Sequence, residues 1–428
     1  GHSAGKNATT ASHQLAIGYQ SGGGYAGSTT TGGASGIAIG YRAAGKDTAS
    51  YNIALGYNAL RDNDESNSYY VTAIGREALY KGRKVPHCIA IGYQSQNENV
   101  HSEDNVAIGE QTLKEAGYGI MIDATSSSVV DLTNNRFTIS SGDFAYLNHR
   151  ASSFHNNTRL RYYANGGTPI GGLTEGTSYY VTNDSTASAM YLATSQNKTS
   201  SNAVALTSLG VGSGHYFSVH GEHNVAIGNE AGKYGRQFFQ SVAIGSRAGR
   251  GTQNDCSHEG TVNVGYAAGY YSQKSRYATH MGYLAGYTAT DSYMRTSIGA
   301  RAGVYSTASY ETAIGAYALS GESSANVTGQ HNTAVGYASL NHNTSGQYNS
   351  SVGSYSMHDN TTGQRNAVLG YNAAANLTTG SYNTVLGMQA GVDLTTGNYN
   401  TFVGSYSGDE QIAGSNNTAV GYAAYQHN

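Results

Sequence analysis

The run GQHNTAVGYASLNHNTS (329–345) is followed by GQYNSSVGSYSMHDNTT (346–362), GQRNAVLGYNAAANLTT (363–379), GSYNTVLGMQAGVDLTT (380–396) and GNYNTFVGSYSGDEQIA (397–413). Laid beneath one another, the five blocks share glycine at the first and eighth positions and asparagine at the fourth, and none carries an insertion. A fixed period of this length is the mark of a solenoid, in which each repeat buries little by itself and completes its core on its neighbours.

Working outward from these blocks, the eighth-position glycine recurs as Gly18, Gly40, Gly56, Gly75, Gly92 and Gly109, and again as Gly228, Gly245, Gly265, Gly282, Gly299 and Gly315. It then returns every 17 residues as Gly336, Gly353, Gly370, Gly387, Gly404 and Gly421. The consensus is N-[TSV]-[AV]-[IVL]-G-Y-x-[AS]. A large aliphatic precedes the glycine (Ile17, Ile108, Leu369, Val420), and a second β-former stands two residues earlier (Ile37, Val106, Thr333, Thr418). In a strand these two share a face, and the residue between them, usually Ala, faces the other way. The aliphatic face is expected to point inward.

Glycine at the centre fits a sharp bend or a close backbone approach between two short strands. Three residues after it stands Ala, Ser or Thr (Ser21, Ala43, Thr112, Ala302, Ala424), a position against which something must be pressed. Asn332, Asn383 and Asn417, with Asn349, Asn366 and Asn400, suit a turn whose side chain bonds nearby backbone, and stacked copies would form a ladder. Each repeat is expected to supply two short strands and two tight turns. Eighteen rungs at about 4.8 Å would give a rod of roughly 85 Å. Tyr follows the glycine in half of the repeats (Tyr19, Tyr41, Tyr57, Tyr266, Tyr283). With the small residue, it is expected to lie between chains, because long apolar stripes are seldom left exposed.

The period lapses between Gly109 and Gly228. Strand-like runs fill the gap: SSVVDL (127–132), RFTIS (136–140), RLRYYA (159–164), TSYYVT (177–182) and HYFSV (215–219), separated by Asn and Gly clusters. This reads as a small all-β sandwich or barrel. The chain therefore divides into N-terminal solenoid repeats (1–112), an inserted all-β domain (113–222) and C-terminal solenoid repeats (223–428). The insert is a candidate recognition module, with Tyr162, Tyr163, Tyr179 and Tyr180 as candidate ring-stacking residues, against the alternative that these rings are structural.

Composition narrows the function. Of 428 residues, 58 are Gly and 37 Tyr, and charged residues make up 11%, under half the usual share. A formal charge of −3 gives no basic surface for nucleic acid. No apolar run approaches a membrane span. The first residue is not Met and no signal peptide is visible, so the sequence is expected to be processed or taken from a longer chain. Cys88 and Cys256 do not make a disulfide framework and are expected to be buried singly.

The NTAVGYxA repeat with TTG or TSG turns resembles repeats of bacteriophage tail-fibre proteins, and GGLTEGTSYYVTN (171–183) is similar to a small β-module of such fibres. More distantly, the V-A-I-G core resembles the head repeats of trimeric autotransporter adhesins. The resemblance implies an all-β parallel solenoid or β-roll assembled as a homotrimer, on a virion tail fibre or another extracellular surface. Its implied partners are other copies of itself, a host-surface glycan or protein receptor, and other fibre or baseplate proteins. This chain departs from the adhesins in its longer repeat and in having no coiled-coil stalk or anchor. It departs from the fibres in showing no terminal chaperone.

Catalytic and metal motifs are sparse. DNDE (62–65) lacks the glycine and distal glutamate of a calcium loop. His220 and His223 form an isolated H-x-x-H without cysteine partners. His280 replaces the small mid-strand residue in one repeat, where three copies of a trimer would meet. Asp131, Asp143 and Glu175 are the acids from which a glycosidase pair in the insert would have to come. The sequons at Asn7, Asn156, Asn183, Asn197, Asn343 and Asn376 carry sugar only in a eukaryotic secretory route. The expectation is a non-enzymatic fibre or adhesion protein with no cofactor, with a bacterial adhesin or filament subunit as the alternative. A polysaccharide depolymerase and an ice-binding solenoid built on the Thr333, Thr384, Thr401 and Thr418 column are further alternatives.

Overall fold

The structure is a computed structural model. It describes residues 2–5, 14–22, 36–45, 51–63, 69–82, 85–99, 104–114, 118–122, 124–138, 159–164, 167–175, 177–182, 189–195, 198–211, 215–219, 221, 223–234, 237–251, 257–272, 274–288, 293–321, 327–410 and 412–425. The chain is an all-β parallel solenoid with a repeat of about 17 residues, and its contacts divide it into two units.

The first unit comprises residues 1–224 with 236–239. Its solenoid strands Gln14–Ile17, Gly36–Ile39, Ile53–Leu55, Thr72–Ile74, Ile89–Ile91 and Val106–Ile108 pair in parallel in chain order. The same unit holds an antiparallel sheet in the spatial order Leu192–Ala193, Ser178–Val181, Arg159–Tyr163, His215–Val219, Tyr118–Ile122. A smaller antiparallel sheet is made by Ala189–Met190, Arg136–Thr138 and Val130–Asp131. Phe137, Leu160, Tyr162, Ile170, Met190 and Phe217 form the core of this antiparallel region.

The second unit comprises 225–235 with 240–428. It stacks twelve parallel strands, from Val225–Ile227 through Thr333–Val335 and Ser350–Val352 to Thr418–Val420, again without register slip.

Most rungs have one strand of three or four residues rather than two; the rungs of Val262–Val264 and Thr279–Met281 have the expected second strand, Ser257–Glu259 and Lys274–Arg276, which pair in parallel with each other. The rest is turn, and its corners are left-handed. In the rung around Gly353, Tyr348 (φ 58°), Tyr355 (φ 56°) and Met357 (φ 46°) all take this conformation, and equivalent residues repeat it in other rungs. Non-glycine residues pay for that conformation. The hydrogen bonds explain why it recurs: Tyr355 N–H donates to Tyr337 O in the rung before (2.8 Å) and Met357 N–H to Ala373 O in the rung after (3.1 Å). The reversed dihedrals aim the amides of Tyr355 and Met357 in opposite directions along the stack, while Ser356 N–H between them donates within its own rung to Gly353 O (3.3 Å).

Glycine at the corner is required twice over. Gly353 sits at φ +137°, and a Cβ there would run into the carbonyl of Gly370 in the next rung. Gly421, in the last rung, has φ +124° but meets nothing closer than Ala424 Cβ at 3.9 Å.

The inward face is the opposite of the one expected. The mid-strand residue is buried (Ala54, Ala73, Ala90, Ala243, Ala313 and Ala334 at 0% exposure), while the flanking aliphatics are outside, with Ile17 at 51%, Leu369 at 52% and Val420 at 68%. A 17-residue rung is too narrow for two aliphatic columns and the turn side chains together. The small residue after the glycine is likewise interior to its own chain: Ser21, Ala43, Thr112, Ala248, Ala302 and Ser356 are fully buried. It therefore does not line a surface between chains.

In many rungs volume is traded between the mid-strand position and the fourth residue after the glycine, although Ala226 with Gly232 and Ala243 with Gly249 do not follow this. Ala54 is matched by Leu60, Ala73 by Leu79, Ala334 by Leu340 and Ser351 by Met357, all buried. Where the mid-strand side chain grows, the partner shrinks: Val368 with Ala374, Val385 with Gly391 and Phe402 with Gly408. A Cβ on Gly408 would stand 2.7 Å from the Phe402 ring, so the ring fills the space that leucine occupies elsewhere.

Candidate functional site

The asparagine column is a continuous hydrogen-bond ladder. Asn349 N–H donates to Asn332 Oδ1 (3.0 Å), Asn383 N–H to Asn366 Oδ1 (2.9 Å) and Asn417 N–H to Asn400 Oδ1 (3.0 Å), with Asn366 and Asn400 bonded alike. The amide nitrogens of Asn332 through Asn400 also donate to a glycine carbonyl 14 residues on, such as Asn383 Nδ2 to Gly397 O (2.9 Å). The column is structural. Below Asn332 the column gives way to other residues, and its next two positions hold Glu311 and Arg295, a fully buried pair at 3.6 Å. Arg295 donates to Ser306 O (2.6 Å) and Gly303 O (2.5 Å), and Ser306 Oγ donates to Glu311 (2.6 Å). Burial pushes the Glu311 carboxyl up to about 7, opposed by Arg295.

The surface carries columns of rings. Tyr19, Tyr41 and Tyr57, after the glycine, stack at 5.2 and 5.0 Å, and Tyr266 and Tyr283 at 5.6 Å. A second column, five residues before the glycine, has no counterpart in the sequence reading. Tyr310, His331 and Tyr348 stack face to face at 4.8 and 5.0 Å. Arg365 then lies between Tyr348 and Tyr382, 5.4 and 5.3 Å from their centroids, and Tyr382 stacks on Tyr399 at 4.9 Å. These tyrosines are exposed. Alignment of the repeats on the central glycine would have disclosed the column, whose members alternate between Tyr, His and Arg.

In the second unit a cleft of about 520 Å³ is lined by Tyr266, Tyr270, Tyr283, Tyr287, Tyr305 and Tyr317, with Arg247 and Arg301. Tyr270 and Tyr287 stack at 5.2 Å, and burial pushes the Tyr287 phenol up to about 12. Arg301 lies over Tyr317 at 5.7 Å. Beside the cleft, Glu230 is ringed by Lys233 (2.7 Å), Arg250 (3.0 Å) and Arg247 (3.3 Å), so cations outnumber this carboxylate. Flat apolar faces with guanidinium groups at the rim suit a ring-shaped polar ligand bearing negative charge.

The sequence candidates fall elsewhere. Tyr162 is fully buried, and its hydroxyl accepts from Ile170 N–H (2.8 Å). Burial pushes its phenol up to about 12. Tyr179 is 3% exposed, and its hydroxyl accepts from Thr174 N–H (2.8 Å). Both belong to the core and cannot stack on a ligand. Tyr180 is half-buried, and the Tyr163 side chain lies outside the described residues. His280 is buried within its own rung, so three copies cannot approach through it. His223 pairs with Asp104 (3.3 Å), and His220 lies outside the described residues. Asp62 is held by Arg61 (2.7 Å), while Asp64 and Glu65 lie outside the described residues. Asp131 is bound by Asn134 and Arg136, which hold its carboxyl below the usual range; Asp143 is not described, and Glu175 is exposed. Cys88 is buried, Cys256 is not described, and Asn343 is buried in the rung interior, where no sugar can be attached. No described helix is long and apolar enough to cross a membrane.

No family model matches the chain, and no curated protein or solved structure is significantly similar to it.

Proposed function

We propose that the chain is a segment of an extracellular fibre, a bacteriophage tail fibre in the first instance, that assembles as a homotrimer and contacts a host-cell surface. The observation that carries this reading is the outward strand face. Ile17, Ile108, Ile244, Ile314, Leu369 and Val420 are exposed, and the equivalent Leu55, Ile74, Ile91, Val264 and Val335 of other rungs are partly exposed, so an aliphatic column runs along the outside of each stack. Apolar columns of that length are covered in a working assembly, and a closed ring of identical copies covers them without leaving a sticky edge. The tyrosine–arginine cleft supplies the receptor contact, a host-surface glycan or protein. A bacterial surface adhesin is the alternative, and it is favoured if the full gene encodes a secretion signal or a membrane anchor.

The test of surface recognition is binding of the purified protein to bacterial cells and to their isolated surface polysaccharides. Wild type is expected to bind, and Tyr283→Ala or Arg301→Ala is expected to weaken binding at least tenfold. Release of reducing ends from the polysaccharide would instead make the chain a depolymerase. Binding unaffected by either substitution would take the contact away from the cleft.

A second reading has an observation of its own. Thr333, Thr384, Thr401 and Thr418 were expected to face inward, yet they lie on the outward face, where Thr384, Thr401 and Thr418 pair on three adjacent rungs and Ser350 and Ala367 stand between them and Thr333. Such a regular array fits an ordered ice or crystal surface, and thermal hysteresis in solution would favour it.

A further inference from the structure

The rungs around Gly336 and Gly353 bring together His342, His358 and Asp359. Both imidazoles turn the same atom to the same carboxylate oxygen: His342 Nδ1 lies 3.0 Å from Asp359 Oδ1, and His358 Nδ1 lies 2.6 Å from it. The three ligand atoms all lie within 4.8 Å of one another, and the rings stand 4.4 Å apart at 69°. The residues are only partly buried, so an ion in solution can reach them.

We infer that this cluster is a binding site for a divalent transition metal of the zinc class. Two neutral imidazole nitrogens and one carboxylate oxygen make a borderline donor set that selects Zn²⁺, Co²⁺ or Ni²⁺ over the oxygen-seeking Ca²⁺ and Mg²⁺. The donors converge from one side, which leaves the outer position of a tetrahedron to water. Loading needs each Nδ1 free of hydrogen: a hydrogen shared with Oδ1 passes through water to Nε2 of a neutral ring, or is released to solvent from an imidazolium, and metal–ligand bonds replace the hydrogen bonds while the ligands move apart by a few tenths of an ångström. Because His342 comes from one rung and His358 with Asp359 from the next, a bound ion ties two rungs together.

The chain carries its own control. His87, Asp104 and His223 also place a carboxylate between two imidazoles, at 3.1 and 3.3 Å. There each imidazole takes a different carboxylate oxygen, and the three do not gather into a group that could hold one ion. That arrangement is a pair of hydrogen bonds and not a chelate.

Titration of the full chain with Co²⁺ tests the inference. Wild type is expected to bind one equivalent with the intense visible absorption of four-coordinate cobalt, and Zn²⁺ is expected to displace it. His342→Ala, His358→Gln and Asp359→Asn are each expected to weaken that equivalent at least tenfold, while His87→Ala leaves it unchanged. Circular dichroism confirms that the variants retain the fold. If wild type shows no such band, or if the band survives in His342→Ala and His358→Gln, the assignment is wrong.

Discussion

Between Asn332 and Asn417 the rung interior is mostly apolar, and its buried polar side chains, the asparagine column with Ser339, Asn343, Ser351, Ser356, Asn360 and Ser407, make hydrogen bonds within the stack. Between His258 and Glu311 the same backbone register encloses Asn263, His280, Ser297, Arg295 and Glu311, all buried. Several of their polar atoms have no hydrogen-bond partner, among them His280 Nδ1 and Nε2, Asn263 Oδ1 and Ser297 Oγ. The corner glycine and the left-handed turns are the same in both stretches. The solenoid is therefore specified by its corners, and its interior needs only the right volume. The polar stretch is the costlier of the two, since buried polar atoms without partners lose their hydration.

The comparison is broken most sharply at a corner. Gly353→Ala is expected to cost about 5 kcal/mol or more, because left-handed strain adds to backbone against backbone in the next rung. Gly421→Ala meets only the strain, about 1–3 kcal/mol. Urea unfolding of the two variants checks this, and equal losses would mean that the close approach of rungs is not limiting.

The polar stretch is next. Arg295→Met leaves Glu311 buried without its cation and is expected to cost about 3–5 kcal/mol. Replacing both by asparagine extends the neighbouring ladder and is expected to recover most of that loss, measured in the same unfolding assay.

Volume conservation gives a test in the apolar stretch. Phe402→Ala empties a ring-sized space and is expected to cost about 3–5 kcal/mol. The double variant Phe402→Ala/Gly408→Leu recreates the Ala54–Leu60 pairing and is expected to restore stability. Leucine accepts the left-handed turn here, as Leu340 does at φ 50°. Failure of the double variant would show that the swap is not interchangeable between rungs.

The smallest effect is on pH. Burial lowers His258 to about 4 and holds His280 well below its usual 6.5. The unfolded chain takes up those protons near 6.5 and the folded chain does not, so stability falls as pH drops through 6.5 towards 4. Glu311 acts in the opposite sense, since it keeps its proton up to about 7 when folded and loses it above 4.5 when unfolded. His280→Ser is expected to reduce the acid loss and Glu311→Gln to increase it, read from urea midpoints at about pH 5 and about pH 7.5.

Much of this architecture is legible in the residues, because the period, the corner glycine and the asparagine column each repeat at one position. Which strand face points inward is not. Alternation separates two faces without ranking them, and the usual preference for aliphatics inside misleads when the interior has room only for alanine beside a leucine. The meaning of the small residue is lost for the same reason, since a tight contact looks alike within a chain and between chains. The cleft is hidden because Arg247, Tyr270, Tyr287 and Arg301 come from separate rungs, and each alone reads as a surface residue. Tyr162 and Tyr179 fail as recognition residues because each phenol finds a backbone amide to bond.

Native mass by light scattering decides whether the outward aliphatic face is covered by other copies. The account predicts a particle of three times the 44.7 kDa chain, falling to a single chain when Ile244 and Ile314 are both changed to Asp. A wild-type mass of one chain would contradict it and leave the aliphatic columns facing water.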